Sequence, residues 1–317
     1  MFNPKEIIFC PTDSCNLKCP HCFVKRTKNQ LNIQDAKTFL HSAAPFIEKI
    51  GFSGGEPFLF PEFLTELSKE TVKCDLLFDQ IMTNGIWWET HEKLNTTLQS
   101  LFDAGYDGKI GLSFDAFHAQ NPAAIEIFIN EVQKIFGTNS IIIQSVKYEG
   151  RSLSPGRHFV ASAPLSAGEV SPATPPLNFS PKDFKKKHPE IPFYYLPQTF
   201  LSSDKRAWKN LFWFKEDFCE GPGQILFVHA FGDIAPCCGF ANENKEMFIG
   251  KITDNFETII KNASENKMTK LCYEKGLSSL RKKIQKTNKK LLPGITADIC
   301  TFCDFVCKNQ SIFKDLL

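Results

Sequence analysis

Three cysteines near the start of the sequence, Cys15, Cys19 and Cys22, have a type and spacing that predict metal chemistry. Three thiolates on one short loop can surround a metal ion or an inorganic iron–sulfur cluster. Tetrahedral zinc needs a fourth ligand, and the nearest candidate, His21, lies between two of the cysteines, where simultaneous coordination is geometrically awkward. A cubane cluster with three protein thiolates keeps one iron open for a ligand that electron transfer would activate.

Glycine and polar residues that could bind a ligand follow three further strand-like segments. They are Gly54, Gly55 and Glu56 after the second segment, Asn84 at the end of the third, and Ser113 and Asp115 at the end of the fourth. Glycine lets a backbone approach a ligand closely, and a carboxylate accepts hydrogen bonds from an ammonium group. Because α/β folds place their chemistry after strands, we expect these residues near the cysteine motif. The alternative for each is an ordinary turn or capping residue.

The cysteine spacing, with an aromatic residue before the last cysteine, resembles the signature of the radical S-adenosylmethionine (SAM) superfamily. The resemblance implies that Cys15, Cys19 and Cys22 ligate a [4Fe-4S] cluster whose fourth iron is chelated by SAM. It also implies that one electron from the cluster cleaves SAM to a 5′-deoxyadenosyl radical, which abstracts hydrogen from a substrate.

The same resemblance supplies expectations for the SAM-binding residues. His21 would lie against the adenine, and Gly55 and Glu56 would contact the amino group of the methionine moiety. The full expected set is His21, Gly54, Gly55, Glu56, Asn84, Ser113, Asp115 and Arg151. For Arg151 the alternative is a solvated surface arginine. His118 could face the cavity, but we expect a surface or capping position.

A second group of cysteines lies in the last third of the chain. Cys219 and Cys237 flank a predicted hairpin that would bring them together, and Cys300 and Cys303 form a late CxxC pair. Four such thiolates suit zinc or a [4Fe-4S] cluster equally. Cys10, Cys74 and Cys272 stand apart from both groups and are expected to be small apolar residues.

The segment around residues 232–260 resembles the SPASM and twitch domains of many radical SAM enzymes, which implies an auxiliary [4Fe-4S] cluster held by Cys219, Cys237, Cys300 and Cys303. A full SPASM domain has seven cysteines and two auxiliary clusters, whereas the late cysteine run here is short, so we expect one auxiliary cluster, with a second as the alternative. Cys307 could replace Cys300 or Cys303. Cys238 should face away from Cys237 because side chains alternate along a strand. It is expected to be packed, or to act as a thiol hydrogen-atom donor.

Strand-like and helix-like segments alternate through the first 150 residues. The predicted strands are Lys5–Cys10, Lys49–Ser53, Leu76–Met82, Lys109–Asp115 and Ser140–Lys147. The predicted helices are Ile33–Ile50, Pro61–Lys73, Glu89–Ala104 and Pro122–Phe136. This order indicates an α/β fold with a parallel sheet, which the resemblance specifies as a partial (β/α)6 TIM-like barrel with a smaller C-terminal α+β domain.

We predict a radical SAM core domain over residues 1–205 and an auxiliary-cluster domain over residues 206–317. Within the first domain, residues 151–205 are proline-rich and are expected to form an irregular connection. In the second, Trp208–Phe218 is predicted to be helical, Gln224–Cys238 a hairpin, and Asp254–Leu292 mostly helical and lysine-rich.

The composition of the chain argues against some classes of function. The chain has 317 residues, of which 42% are hydrophobic and 23% charged, with a formal net charge of +2. These values are ordinary for a folded protein and give no electrostatic reason to expect nucleic acid as a partner. No apolar run reaches membrane-spanning length and no export signal is visible, so we expect a cytoplasmic protein with no membrane partner.

The sequence therefore predicts a radical SAM enzyme, an oxidoreductase whose substrate is a ribosomally made peptide or protein residue. A small-molecule dehydrogenase of the twitch type is the alternative. A non-catalytic iron–sulfur electron carrier or a zinc-binding module would be an alternative of another class. The expected partners are the peptide or small-molecule substrate and a flavodoxin- or ferredoxin-type reductant. Because the chain begins at its first strand, peptide recognition would fall to the barrel groove or to a separate recognition protein.

Overall fold

The computed structural model describes residues 2–146, 181–219 and 224–313, and its described strands form one sheet. The strands are β1 Glu6–Phe9, β2 Lys49–Phe52, β3 Leu77–Thr83, β4 Lys109–Ser113, β5 Ile141–Val146, β6 Phe193–Leu196, β7 Ile225–Val228, β8 Asp233–Ala235 and β9 Gly250–Lys251. The α-helices are α1 Ile33–Ala43, α2 Pro61–Lys73, α3 His91–Asp103, α4 Pro122–Phe136, α5 Pro181–Lys187, α6 Phe256–Glu265, α7 Lys267–Lys270, α8 Leu277–Asn288 and α9 Ile299–Lys308.

The first six strands are parallel and lie side by side in chain order, from β1 to β6. A helix follows each of the first five strands, and α1, α2, α3 and α4 pack on one another in sequence. This repeated strand–helix order is that of a partial TIM-like barrel, so the predicted fold class is confirmed. Parallel strands place all their carboxyl ends at one edge of the sheet, which brings together the loops that follow them.

Local sequence signals explain where these helices begin and end. Asn32 caps α1, because its side-chain oxygen accepts a hydrogen bond from the Asp35 amide at 2.9 Å. Pro122 occupies the first turn of α4, where its missing amide hydrogen costs no helical bond. The helix ends at Gly137, whose φ of 93° suits glycine. The buried face of these helices covers a continuous apolar core on the parallel strands.

The C-terminal part of the chain joins the same sheet. β7 pairs with β1 in parallel, with Ile7 opposite Leu226 and Phe9 opposite Val228, and β8 and β9 continue the sheet with antiparallel pairing. The predicted hairpin and the predicted helical region are therefore both present. A second apolar core, which includes Met268 and Phe302, lies among the C-terminal helices. The division of the chain at residues 205 and 206 stays a prediction.

The prediction of an irregular connection is wrong for residues 181–200, because they contain α5 and the sixth parallel strand. β6 pairs with β5, and its side chains alternate between half-buried and exposed. Its flanking prolines, Pro192 and Pro197, lie just outside the strand, where they leave its hydrogen bonds intact. Residues 151–180 of that connection lie outside the described part of the chain.

The predicted helix over Trp208–Phe218 is wrong. A short 3-10 turn covers Lys205–Trp208, and residues 209–218, all of them described, have no helix. Tertiary hydrogen bonds replace helical ones here: the Asn210 amide donates to Ile295 at 3.1 Å, and the Phe214 amide donates to Thr296 at 3.0 Å. Three of its aromatic residues, Trp208, Trp213 and Phe214, pack instead against α9, with the rings of Phe214 and Phe302 5.3 Å apart. Leu211 and Phe212 are exposed.

Among the described residues, the helices are all too short or too polar to cross a membrane.

Candidate active site

The loop after β1 carries the three clustered cysteines. Cys15 and Cys19 are half-buried and Cys22 is exposed, and a turn joins the Cys22 amide to the Cys19 carbonyl at 3.1 Å. Arg26 lies beside all three thiols: burial lowers its pKa, but a hydrogen bond to Cys22 and the charges of Cys15 and Cys19 raise it overall. Three thiols on one short, partly open loop, with a guanidinium beside them, are a donor set that fits an anionic iron–sulfur cluster.

The glycines that follow β2 hold the backbone against this cysteine loop. A Cβ atom at Gly55 would overlap the Ser14 carbonyl, and one at Gly54, which has a φ of 128°, would overlap the Cys10 sulfur. The Gly55 amide donates to the Thr12 carbonyl at 3.0 Å, and the Glu56 amide donates to the Ser14 carbonyl at 2.8 Å. Close approach to the loop therefore requires glycine here, whatever ligand the segment also binds.

Glu56 is fully buried, with 0% of its surface exposed. Its carboxylate accepts hydrogen bonds from the Phe58 amide at 3.2 Å, the Thr83 hydroxyl at 2.8 Å and the Asn84 amide at 2.8 Å. Burial raises its pKa to about 7, against the lowering effect of these three bonds. The side chain thus ties the end of β2 to the end of β3, and its expected contact with the SAM amino group stays a prediction.

Asn84 connects the end of β3 to the cysteine loop. Its side-chain amide donates to Asn16 Oδ1 at 2.8 Å and lies 3.7 Å from Cys15 Sγ, while Asn16 donates to the Ile86 carbonyl at 2.8 Å. Gln120, which the sequence did not single out, is also buried and donates to the backbone carbonyls of Asn84 and of half-buried Ser113 at 2.6 Å each. Only the fold shows that Gln120 joins the ends of β3 and β4.

Buried Asp115 and half-buried His118 form a pair beside the same loop. The Asp115 carboxylate, 1% exposed, accepts a hydrogen bond from His118 Nδ1 at 2.9 Å and another from the Val146 amide at 3.1 Å. Burial lowers the pKa of His118, but hydrogen bonds with Asp115 and Cys19 raise it to about 10. His118 was expected at a surface or capping position; it is instead enclosed between a carboxylate and a cysteine of the motif.

His21 lies across from this pair, as its position in the cysteine motif requires. Its ring centroid is 5.0 Å from that of His118 and 4.9 Å from that of Phe117, and burial lowers its pKa. Ligand atoms of His21, Asp115 and His118 lie within 4.8 Å of one another. The structure therefore brings together all the expected SAM-binding residues except Arg151, which lies outside the described residues.

A second site lies among the C-terminal elements, where six cysteines line one cavity of about 80 Å³. They are Cys219, Cys237, Cys238, Cys272, Cys300 and Cys303. The fold thus gathers the four predicted ligands from distant parts of the chain. Tyr273 and Leu277 contribute to the same wall. A cavity lined by this many thiols has the donor set that an iron–sulfur cluster requires.

Two cysteines differ from their predicted positions at this cavity. Cys238 was expected to face away from Cys237, but both line the cavity, because β8 ends at Ala235 and strand alternation does not extend to them. Its role as a hydrogen-atom donor stays a prediction. Cys272 was expected to be an ordinary apolar residue, yet its Sγ lies 3.7 Å from Cys303 Sγ. Cys272 stands apart from the other cysteines in the chain, so no spacing pattern indicated this contact.

The thiols of this cavity are electrostatically linked. Burial raises the pKa of Cys238 to about 12 and raises that of Cys300 as well. The pKa of Cys303 is lowered, because Cys272 and Cys307 both form hydrogen bonds with its sulfur. Buried thiols resist ionisation unless a positive centre compensates for lost solvation, and a metal cluster supplies such a centre.

Comparisons with known proteins find one family model that matches the part of the chain containing the first site. Residues 9–147 match the model of the radical SAM superfamily. Among curated proteins, the chain is similar to the GTP 3′,8-cyclase of Chlorobaculum tepidum, with 31% identity over 120 residues; this covers 36% of the chain and about a third, 34%, of that relative's length.

Two solved structures are similar to this chain. One is BtrN in complex with AdoMet and 2-DOIA, with 16% identity, a TM-score of 0.48, and coverage of 84% of this chain and 87% of that one. The other is Streptococcus suis SuiB bound to the precursor peptide SuiA, with 14% identity, a TM-score of 0.47, and coverage of 95% and 76%.

Proposed function

The chain contains a radical SAM domain over residues 9–147, and from this premise we propose that the protein reductively cleaves SAM and abstracts hydrogen from a bound substrate. Cys15, Cys19 and Cys22 would hold the [4Fe-4S] cluster. When bound, that cluster supplies the single electron that breaks the sulfonium bond. The observation that carries the proposal is the convergence of the cysteine loop with the carboxyl ends of β2, β3 and β4.

The surrounding residues would position SAM and shield it from water. Gly54 and Gly55 allow the chain to pass close to the cysteine loop, and Asn84 fixes that loop to β3. His21 would lie against the adenine, on the side of buried Asp115 and half-buried His118. Excluding water protects a reactive intermediate from side reactions, so burial around this group of residues supports the proposed chemistry.

An auxiliary [4Fe-4S] cluster would occupy the C-terminal cavity. Its proposed ligands are Cys219, Cys237, Cys300 and Cys303, with Cys307 as the alternative to one of the last two. Support comes from the common cavity that the four proposed ligands line. This centre would accept an electron from the substrate or relay one to it.

For the substrate, a residue of a ribosomally made peptide is the proposal, and a small molecule is the alternative. β6 is at one edge of the sheet, and among the described strands it pairs with β5 alone. Tyr194 and Leu196 of this strand are exposed. An exposed edge strand can bind an extended peptide through its backbone, which supports the peptide over the small molecule.

An acidic flavodoxin or ferredoxin would supply the electrons. α8 presents the exposed lysines Lys282, Lys283 and Lys286, while Leu277 at its start lines the cysteine cavity. A basic face beside a proposed electron-transfer centre favours docking of an acidic carrier, and salt would weaken that docking.

Anaerobic reconstitution tests the proposed reaction. After loading with iron and sulfide, the protein should form 5′-deoxyadenosine from SAM and dithionite. We expect Cys19→Ala to reduce this product at least about 100-fold, because the cluster loses a ligand. The matched control is Cys74→Ala, since Cys74 is a half-buried cysteine beside His41 and outside both sites. Undiminished product from Cys19→Ala would exclude this function.

A further inference from the structure

Cys272 is the thiol in the C-terminal cavity that neither the sequence pattern nor the proposed ligand set uses. It lies in a single π-helical turn, Leu271–Lys275, between α7 and α8. π-helical turns often occur at functional sites because the inserted residue reorients a side chain. The Cys219 amide donates to the Cys272 carbonyl at 2.9 Å, so the backbone of a proposed ligand is fixed directly against this turn.

The Cys272 side chain is directed at a second proposed ligand. Its Sγ lies 3.7 Å from Cys303 Sγ, within hydrogen-bond distance for sulfur, and both residues are buried, at 2% and 6% exposure. A cubane holds the sulfurs of its ligands apart at separate corners. Two thiols in direct contact therefore fit one ligand and one hydrogen-bond donor better than two ligands of one cluster.

We propose that Cys272 is a positioning residue of the auxiliary centre, whose S–H group donates a hydrogen bond to the Cys303 sulfur while Cys303 ligates the cluster. The inference rests on the proposed auxiliary cluster. It goes beyond that proposal by naming a residue that sets the reduction potential of the cluster. Hydrogen bonds to cluster sulfurs stabilise the extra negative charge of the reduced state, so this bond raises the potential.

To isolate the auxiliary centre, Cys15, Cys19 and Cys22 are replaced with alanine, and this triple variant is the parent protein. Cys272→Ala or Cys272→Ser is then introduced into the parent. Iron and sulfide are counted after anaerobic reconstitution, and the midpoint potential is measured by redox titration followed by electron paramagnetic resonance. We expect about four irons per chain in all three proteins. Cys272→Ala should have a more negative potential than the parent, and Cys272→Ser, which keeps a donor, should restore most of the difference.

Two controls make the result specific. Cys74→Ala should leave the iron content and the potential unchanged, and Cys303→Ser should lose the cluster. If Cys272→Ala loses iron as Cys303→Ser does, Cys272 is a ligand and the inference is wrong. It is equally wrong if the potential of Cys272→Ala equals that of the parent. Because neither readout uses SAM, a failure of SAM cleavage would be recognised separately.

Discussion

At the scale of single residues, the buried carboxyl group of Glu56 shows how the candidate active site is held together. It begins the turn Pro57–Leu59 and accepts hydrogen bonds from Thr83 and Asn84 at the end of β3. Removing these bonds would leave buried donors without partners, which costs about 1–3 kcal/mol for each unsatisfied group. Glu56 therefore has a structural role that is independent of any ligand.

The raised pKa of Glu56 predicts a pH dependence of stability. The carboxyl group is protonated more readily in the folded state than in the unfolded chain. The stabilisation of the folded state by this protonation is therefore fully present below pH 4.5 and is lost as the pH rises to about 7. The free energy of unfolding should fall across this window by at most roughly 3 kcal/mol from this group. Urea unfolding at several pH values measures the effect.

The matched variant for this measurement is Glu56→Gln, which cannot ionise. Between pH 4.5 and 7, its unfolding free energy should fall less than that of the parent, and at pH 4.5 it should be the less stable of the two because one oxygen acceptor is lost. Identical pH profiles for the two proteins would contradict the raised pKa.

At the scale of elements, the segment after β2 and the loop after β1 act as one unit. Their backbones are joined by the bonds from Gly55 to Thr12 and from Glu56 to Ser14. The same loop is joined to β3 through Asn84 and to the residues after β4 through His118. A shift of one segment must therefore move the cysteines relative to the strand ends.

Gly55→Ala tests this coupling, because its Cβ would overlap the Ser14 carbonyl and the Asp13 backbone. We expect the variant to bind several-fold less iron at the first site and to lose about 1–3 kcal/mol of stability. Gly137→Ala is the control: Gly137 also has positive φ, at 93°, but the added Cβ would meet nothing within 4 Å. It should cost about 1 kcal/mol from backbone strain without reducing iron content.

At the scale of the whole molecule, β7 connects the C-terminal part of the chain to the centre of the sheet. β1, which leads into the cysteine loop, lies between β2 and β7. Without β7, one side of β1 would become an unpaired strand edge, and edges of this kind promote aggregation. The cysteine loop follows β1, and Cys237 of the cysteine cavity follows β8, which pairs with β7.

Truncation at the predicted boundary tests this dependence. A fragment of residues 1–205 should melt at a lower temperature than the full chain, or aggregate, because β1 loses its β7 partner. Adding a separately produced fragment of residues 206–317 should restore solubility. A fragment of residues 1–205 with the melting temperature of the full chain would show instead that the predicted boundary separates independent units.

The features that depend on local spacing could be predicted from the amino-acid sequence. The cysteine motif, the strand-end residues and the bounds of α2 and α4 follow from nearby residues, and parallel strands necessarily bring such residues to one edge. Three features depend on the tertiary fold: the pairing of β7 with β1, the placement of His118 between Asp115 and Cys19, and the contact of Cys272 with Cys303. These contacts join residues that are far apart in the chain, so their geometry depends on how whole elements pack. Periodicity reports which face of an element is buried, but not which element covers it.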